Sequence, residues 1–308
     1  MTMQVSPSPS ANDSASAARR GGGTRSFDRY LRLGLSITFA FGCLVVLLIG
    51  LVILQGTVPI FGGIPLTRFL TDADWYPTSG LYDLKPMLFG SLATAVGAFL
   101  VATPISLVMA ASMNLFMGAF TASLLRRLLF VMAAMPTVVF GFWGLTQVVP
   151  FIAAFKAPGL SLLSGILVLA MMIIPTTALL MDTAFAKLPK QLTFGAFALG
   201  ATRRLTCMGM TLRVLKSAIL SSSLLGLGRA LGETIVVVMV TGNKAELPHS
   251  LFDPTRTLTA NVALEIGYAD PLHSATLFFS ILILFLMATG LALAVNALDQ
   301  TTKVQVDV

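Results

Sequence analysis

The sequence predicts an all-α membrane protein with six transmembrane helices, and three observations carry that reading. Hydrophobic residues make up 56% of the 308 positions and charged ones only 11%, with a mean hydropathy of +0.88, which sets aside a water-soluble fold. Apolar runs long enough to cross a bilayer recur along the whole chain. Lys and Arg gather in alternate loops between those runs, as they do where one side of a membrane protein is cytoplasmic. The net charge of +7 therefore reads as membrane topology, and nucleic acid is not an expected partner.

Taken in order, residues 1–30 are rich in Ser, Ala, Gly and Arg. They cannot bury a core and are expected to form a disordered, basic cytoplasmic tail. No apolar stretch near the start makes them a signal peptide, and no strand precedes Gly21-Gly22-Gly23 to make it a phosphate loop. The first span, Leu33 to Leu54 within 31–56, is free of charge and reads as an uncleaved anchor. An external loop follows at 57–86, whose Trp75 and Tyr76 suit a membrane interface. The second span runs from Met87 to Met113 with Pro104 inside it, and Arg126 and Arg127 open a third, Leu128 to Val149, centred on Met135-Pro136-Thr137. The fourth covers Leu160 to Leu180 and contains Pro175. Prolines inside spans free backbone carbonyls and bend helices; packing kinks and gating points are both open readings. A polar, basic segment at 184–217 precedes the fifth span, Ala218 to Thr241. The sixth runs from Ser274 to Leu298, followed by a tail at 299–308. With the N-terminus inside, 14 Lys and Arg lie in cytoplasmic segments, 5 in external ones and Arg229 in the membrane. Both termini are thus expected in the cytoplasm.

The fifth span holds the chemistry. Its core, Gly228-Arg229-Ala230-Leu231-Gly232-Glu233-Thr234, places two charges where one charged side chain costs roughly 2.5–3.5 kcal/mol. Such residues face a bundle interior or a watery path. On a continuous helix Arg229 and Glu233 stack one turn apart, and Gly228 and Gly232 form a small-xxx-small stripe that admits a neighbouring helix. Arg229 and Glu233 are therefore the candidate pathway residues, with Gly228, Gly232 and Thr234 as packing positions beside them. A structural ion pair is the competing reading.

Catalytic patterns are missing from the chain. It carries no G-x-x-x-x-G-K-[ST], H-E-x-x-H or G-x-S-x-G string. Cys43 and Cys207 are far apart, and His249 and His273 read as isolated loop or span-end residues without metal-site spacing. No cofactor or metal is expected in this chain.

The second informative stretch is Leu188 to Arg204. Pro189 suits a helix start, and Gly200 permits a sharp turn into a second helix. Phe194 and Phe197 would then stand out as a plug for a groove in another protein; an amphipathic helix lying on lipid is the alternative. Here the chain resembles the coupling loop of ABC-importer permeases, through Ala198-Leu199-Gly200-Ala201-Thr202-Arg203. The string from Gly228 to Thr234 is similar to the phosphate-specific branch. Met239-Val240-Thr241-Gly242-Asn243, the run from Pro136 to Leu145, and Thr257-Leu258-Thr259-Ala260 resemble its PstC-type subunit. The likeness spans Tyr76 to Leu298. The family's usual Glu-Ala-Ala stands here as Phe194-Gly195-Ala196, and Arg213 replaces a usual proline, so the docking surface differs in detail.

The resemblance implies a type I ABC importer permease fold at 87–298 and a channel subunit in the bacterial inner membrane. It implies partners: a PstA-type second permease, a dimer of ATPase subunits that holds ATP-Mg, and a periplasmic phosphate-binding protein. Phe194, Gly195, Ala196 and the run Ala198 to Arg203 would then dock the ATPase. Permeation of another oxyanion (sulfate, molybdate or phosphonate) and an ion-gradient-driven secondary carrier are the rivals. Six spans without a visible internal repeat count against the carrier.

Overall fold

A computed structural model describes residues 11–306 apart from 63, 189, 203, 204, 206–208 and 210, and side chains from 29 to 297 apart from those and 190 and 193. Contacts divide the chain into two compact units, one ending at Val52 and one beginning at Ile53. The first unit is the greater part of helix α1 (Ala11–Phe61), whose described side chains expose Leu35, Phe39, Phe41 and Leu47. Where composition points to a tail, the backbone is helical back to Ala11. Extending an existing helix costs far less than nucleating one, and Ala15, Ala17 and Ala18 favour it.

In the second unit, α2 (Arg68–Thr71) and a two-stranded hairpin, β1 (Trp75–Tyr76) with β2 (Leu81–Tyr82), precede α3 (Lys85–Ala111). Pro86 sits in the first turn of α3, where its missing N–H costs nothing. A π-turn at Ser112–Phe116 ends it. Helices α4 (Ala119–Ala134), α5 (Thr137–Trp143) and, after a second π-turn at Gly144–Val148, α6 (Val149–Ala153) follow. Next come α7 (Leu162–Ala186) and α8 (Lys190–Ala198). The chain continues in α9 (Leu212–Leu231), α10 (Ile235–Val240), α11 (Leu258–Glu265) and α12 (Pro271–Val306).

Among the described residues five helices are long and apolar enough to cross a membrane, or six if the bent pair α4 and α5–α6 counts as one. The expected third span is not a straight crossing. Its axis turns by 93° between Ala134 and Thr137, because Met135 and Pro136 adopt extended backbone and a residue before proline is pushed out of the helical region. Pro104 and Pro175, by contrast, lie inside unbroken α3 and α7.

Helix α7 is the axle of this unit. Its start is fixed by Ser161, whose hydroxyl accepts from the Ser164 amide at 3.2 Å, a cap worth about 1 kcal/mol. Apolar on nearly every side, it buries Val168, Leu169, Met172 and Ile173, as a helix surrounded by others must. Its broadest contact is with α3, where Ala95, Ala98 and Ala102 keep the surface flat enough for close approach.

Candidate functional site

The charged string does not lie on one helix. α9 ends at Leu231, Gly232, Glu233 and Thr234 form a break, and α10 starts at Ile235. The expected stacking of Glu233 over Arg229 therefore fails. No ion pair joins them among the described residues. Arg229, half-buried in the last turn of α9, has no hydrogen bond or ion pair there either. Glu233 is occupied locally. Its Oε1 accepts a long bond from the Val236 amide at 3.4 Å, at the start of α10. Its carbonyl accepts from Thr259 Oγ1 at 2.8 Å. Gly232 still keeps right-handed backbone and donates to the Gly228 carbonyl at 3.2 Å; beyond it the helical bonding lapses, and the Glu233 carboxylate turns to the nearest orphan amide.

Gly228 does face a neighbour, since an added Cβ would lie 3.2 Å from Leu291 on α12. Gly232 does not: its Cβ would meet nothing but the carbonyls of Gly228 and Arg229. Thr234 stands at the N-terminus of α10 without capping it. The tightest glycine of α9 is Gly226, missed in the sequence, where a Cβ would approach Thr177 Oγ1 of α7 to 2.6 Å. Gly226 does share the small-xxx-small spacing with Ser222 and Ala230, a signal overshadowed by the neighbouring glycine pair.

Around the break two short elements close in. Half-helix α5 packs on α10, with Gly141 against Met239 and Val236. α11 dips in from the loop before α12. Its N-cap Thr257 accepts from the Ala260 amide at 3.1 Å, and Ser91 of α3 accepts from the Leu258 amide at 2.8 Å. The string after the break, Thr241-Gly242-Asn243, builds the turn that leads there. Gly242 and Asn243 both have positive φ, 83° and 53°, and Asn243 Nδ2 ties back to the Val238 carbonyl at 2.7 Å. A side chain at 242 would also press Pro254 at 2.8 Å.

At the hairpin end a buried knot joins residues that the sequence keeps apart. Glu265 accepts from Trp75 Nε1 at 2.8 Å, contacts His273 Nε2 at 2.9 Å and pairs with Arg256 at 2.6 Å. Arg256 further donates to the Asn243 carbonyl and to Asn261 Oδ1. Trp75 is thus buried at 5% exposure rather than lying at an interface, and His273, also 5% exposed, is not isolated. Tyr76 is exposed. Beside the knot opens a cavity of about 680 Å³, walled by Tyr76, Asn243, Lys244, Tyr268 and Asp270 among others. Indole, imidazole and guanidinium converge only in three dimensions, so no local pattern could reveal the knot.

At the other end of α7 the described part of the segment at 184–217 has the turn expected at Gly200. α8 stops at a left-handed Gly200, φ 81°. The Gly200 amide donates to the Phe197 carbonyl and the Ala201 amide to that of Ala196, at 2.9 and 3.0 Å, the pair of bonds of a Schellman cap. Phe194, Phe197 and Leu199 are exposed, Leu199 to 90%. Gly195 and Ala198 are exposed too, and Ala196 is half-buried. Ala201 is half-buried, and exposed Thr202 accepts from the Leu205 amide. Arg203, Pro189 and most of the residues expected to form the second short helix lie outside the described residues.

Residues 102–304 match the family described as binding-protein-dependent transport system inner membrane component. The chain belongs to this family. Among curated relatives of this inner membrane component is the probable ABC transporter permease protein YqgH of Bacillus subtilis (strain 168). It is 36% identical over 248 residues, covering 79% of this chain and 80% of the relative. The phosphate transport system permease protein PstC of Haemophilus influenzae is 33% identical, covering 74% and 78%. The probable PstC of Methanocaldococcus jannaschii is 31% identical, covering 80% and 84%. In fold, this permease component is similar to a chain of the inward-facing MetNI methionine ABC transporter, with TM-score 0.52, 15% identity, and coverage of 70% of this chain and 94% of that one. A multi-pass membrane permease is thereby established.

Proposed function

We propose that the chain is the PstC-type permease subunit of an ATP-driven importer of inorganic phosphate. Its relatives named PstC support the substrate, and one observation carries the chemistry. Arg229 sits in a membrane-spanning helix with no acidic partner among the described residues. An uncompensated guanidinium in a span is costly, and the cost is offset when a passing anion supplies the missing charge. Its planar fork suits phosphate oxygens. Glu233, held at the start of α10, sets the break open rather than neutralising Arg229.

In this reading the hairpin end faces outward and meets the periplasmic phosphate-binding protein. α8 faces the cytoplasm and docks one ATPase subunit of a dimer, on which ATP-Mg is bound. A PstA-type subunit closes the pathway on the other side. The exposed Phe194, Phe197 and Leu199 support a docking plug, because three large apolar groups on one short segment gain most from a partner groove. Reconstitution with those companions tests the proposal: ATP-dependent uptake of labelled phosphate should exceed that of sulfate, and preference for sulfate or molybdate would reassign the substrate. Uptake without ATP, driven by an ion gradient, would reject the importer.

A further inference from the structure

Three side chains from three elements meet at the loop end of α7. Asp182, whose side chain is 7% exposed, is gripped in a fork by Arg126 of α4, Nε to Oδ2 at 2.6 Å and Nη2 to Oδ1 at 2.8 Å. Asn114, in the π-turn after α3, donates to the same Oδ1 at 2.7 Å and to the Ala110 carbonyl at 2.9 Å. The Arg126 and Arg127 pair reads as a topology signal in the sequence; in the structure Arg127 is exposed and Arg126 is structural.

We propose that Arg126, Asp182 and Asn114 form the joint through which α7 carries α4 when α8 is moved, making them positioning residues for the transport cycle. The inference rests on the reading of α8 as an ATPase dock. A bidentate pair fixes orientation as well as distance, so α7 and α4 cannot rotate against each other without breaking two bonds at a nearly buried carboxylate. The apolar contacts next to it, Met113, Ala122, Leu129 and Ala178, bind the same elements. On one side, Phe185 and Leu188 pack with Ala110, Ala111 and Leu215 and lead straight into α8. On the other, α4 ends at the 93° elbow, and α5 beyond it rests on α10 through Gly141, directly after the break at Glu233. The route from α8 to the break thus runs through chain continuity and packed contacts, and the Arg126–Asp182 fork, with Asn114 on the same carboxylate, is the polar link between α4 and α7. The test reads coupling itself.

The measurement is ATP hydrolysed per phosphate imported, in proteoliposomes holding the complete transporter, with assembly and thermal stability followed in parallel. Asp182→Asn and Arg126→Gln should raise that ratio at least about fivefold, the lower end of typical coupling between sites. Arg126→Lys, which keeps the charge but loses the fork, should fall between. The double variant R126M/D182L removes both charges together, so that neither is left uncompensated; it should assemble normally and still waste ATP. A double variant with the wild-type ratio overturns the joint, as do single variants that melt earlier yet keep the ratio. Should the wild-type complex hydrolyse no ATP, the importer reading fails and the joint with it; normal wild-type coupling with unchanged variants removes the joint alone.

Discussion

At the scale of single residues, the two charges of the fifth span have different work. Arg229 offers donors without a protein acceptor among the described residues, whereas Glu233 is spent on backbone. Arg229→Gln should therefore abolish phosphate uptake while the complex still assembles, and Arg229→Lys should retain part of it. Unchanged uptake by Arg229→Gln would leave the guanidinium a packing role only. Glu233→Gln keeps an acceptor for the Val236 amide and should lose much less, within about tenfold or 1.4 kcal/mol in apparent affinity. Gly226 makes a purely steric prediction: Gly226→Val drives side-chain carbon into Thr177 and should destabilise by roughly 1–3 kcal/mol, read as an earlier thermal transition of the purified subunit. Gly232→Ala would place its Cβ in ordinary contact with two carbonyls of its own turn, at 3.7 and 4.0 Å, and should not.

Elements were legible in the sequence wherever one property ran the length of a helix. Apolar runs located the crossing helices, and Gly200 marked the cap of α8 because only a left-handed turn satisfies those amides. What the sequence concealed were breaks and convergences. Helices end at Gly232 and at Pro136 yet run on through Pro104 and Pro175, and burial does not separate the cases, since Pro104 is exposed like Pro136 whereas Pro175 is buried. Pairing four residues apart suggested an ion pair, but the interrupted helix removed the geometry that the spacing assumes. Gly200→Val tests the α8 cap at this scale. No atom lies within 4 Å of an added Cβ, so the loss is backbone strain, of order 1–3 kcal/mol. ATPase copurification should weaken, and normal binding and transport would reject the docking assignment. The hairpin gives a pH prediction. Burial pushes the Asp72 carboxyl up, but the Tyr82 amide and the Arg68 guanidinium outweigh it and hold it below 3.8. A carboxyl lowered by folding contributes stability above its unfolded value and loses it as pH falls through the folded one. Protection of the hairpin amides should accordingly persist to below pH 3.8, and Asp72→Asn should remove that acid-dependent part.

For the whole molecule, the two ends of α7 are built on different terms. The loop end holds one directional pair beside an exposed segment, and the hairpin end holds a carboxylate with three partners from separate stretches of chain. Trp75 and Glu265 are 190 positions apart, and His273 belongs to the start of the last long helix. During synthesis Trp75 and Tyr82 emerge long before the groups they enclose, so the outer rim stays unfinished until that final helix has been inserted. A chain that stops short of His273 would leave the Glu265 carboxylate with two of its three partners, an unfinished wall to the cavity at this end.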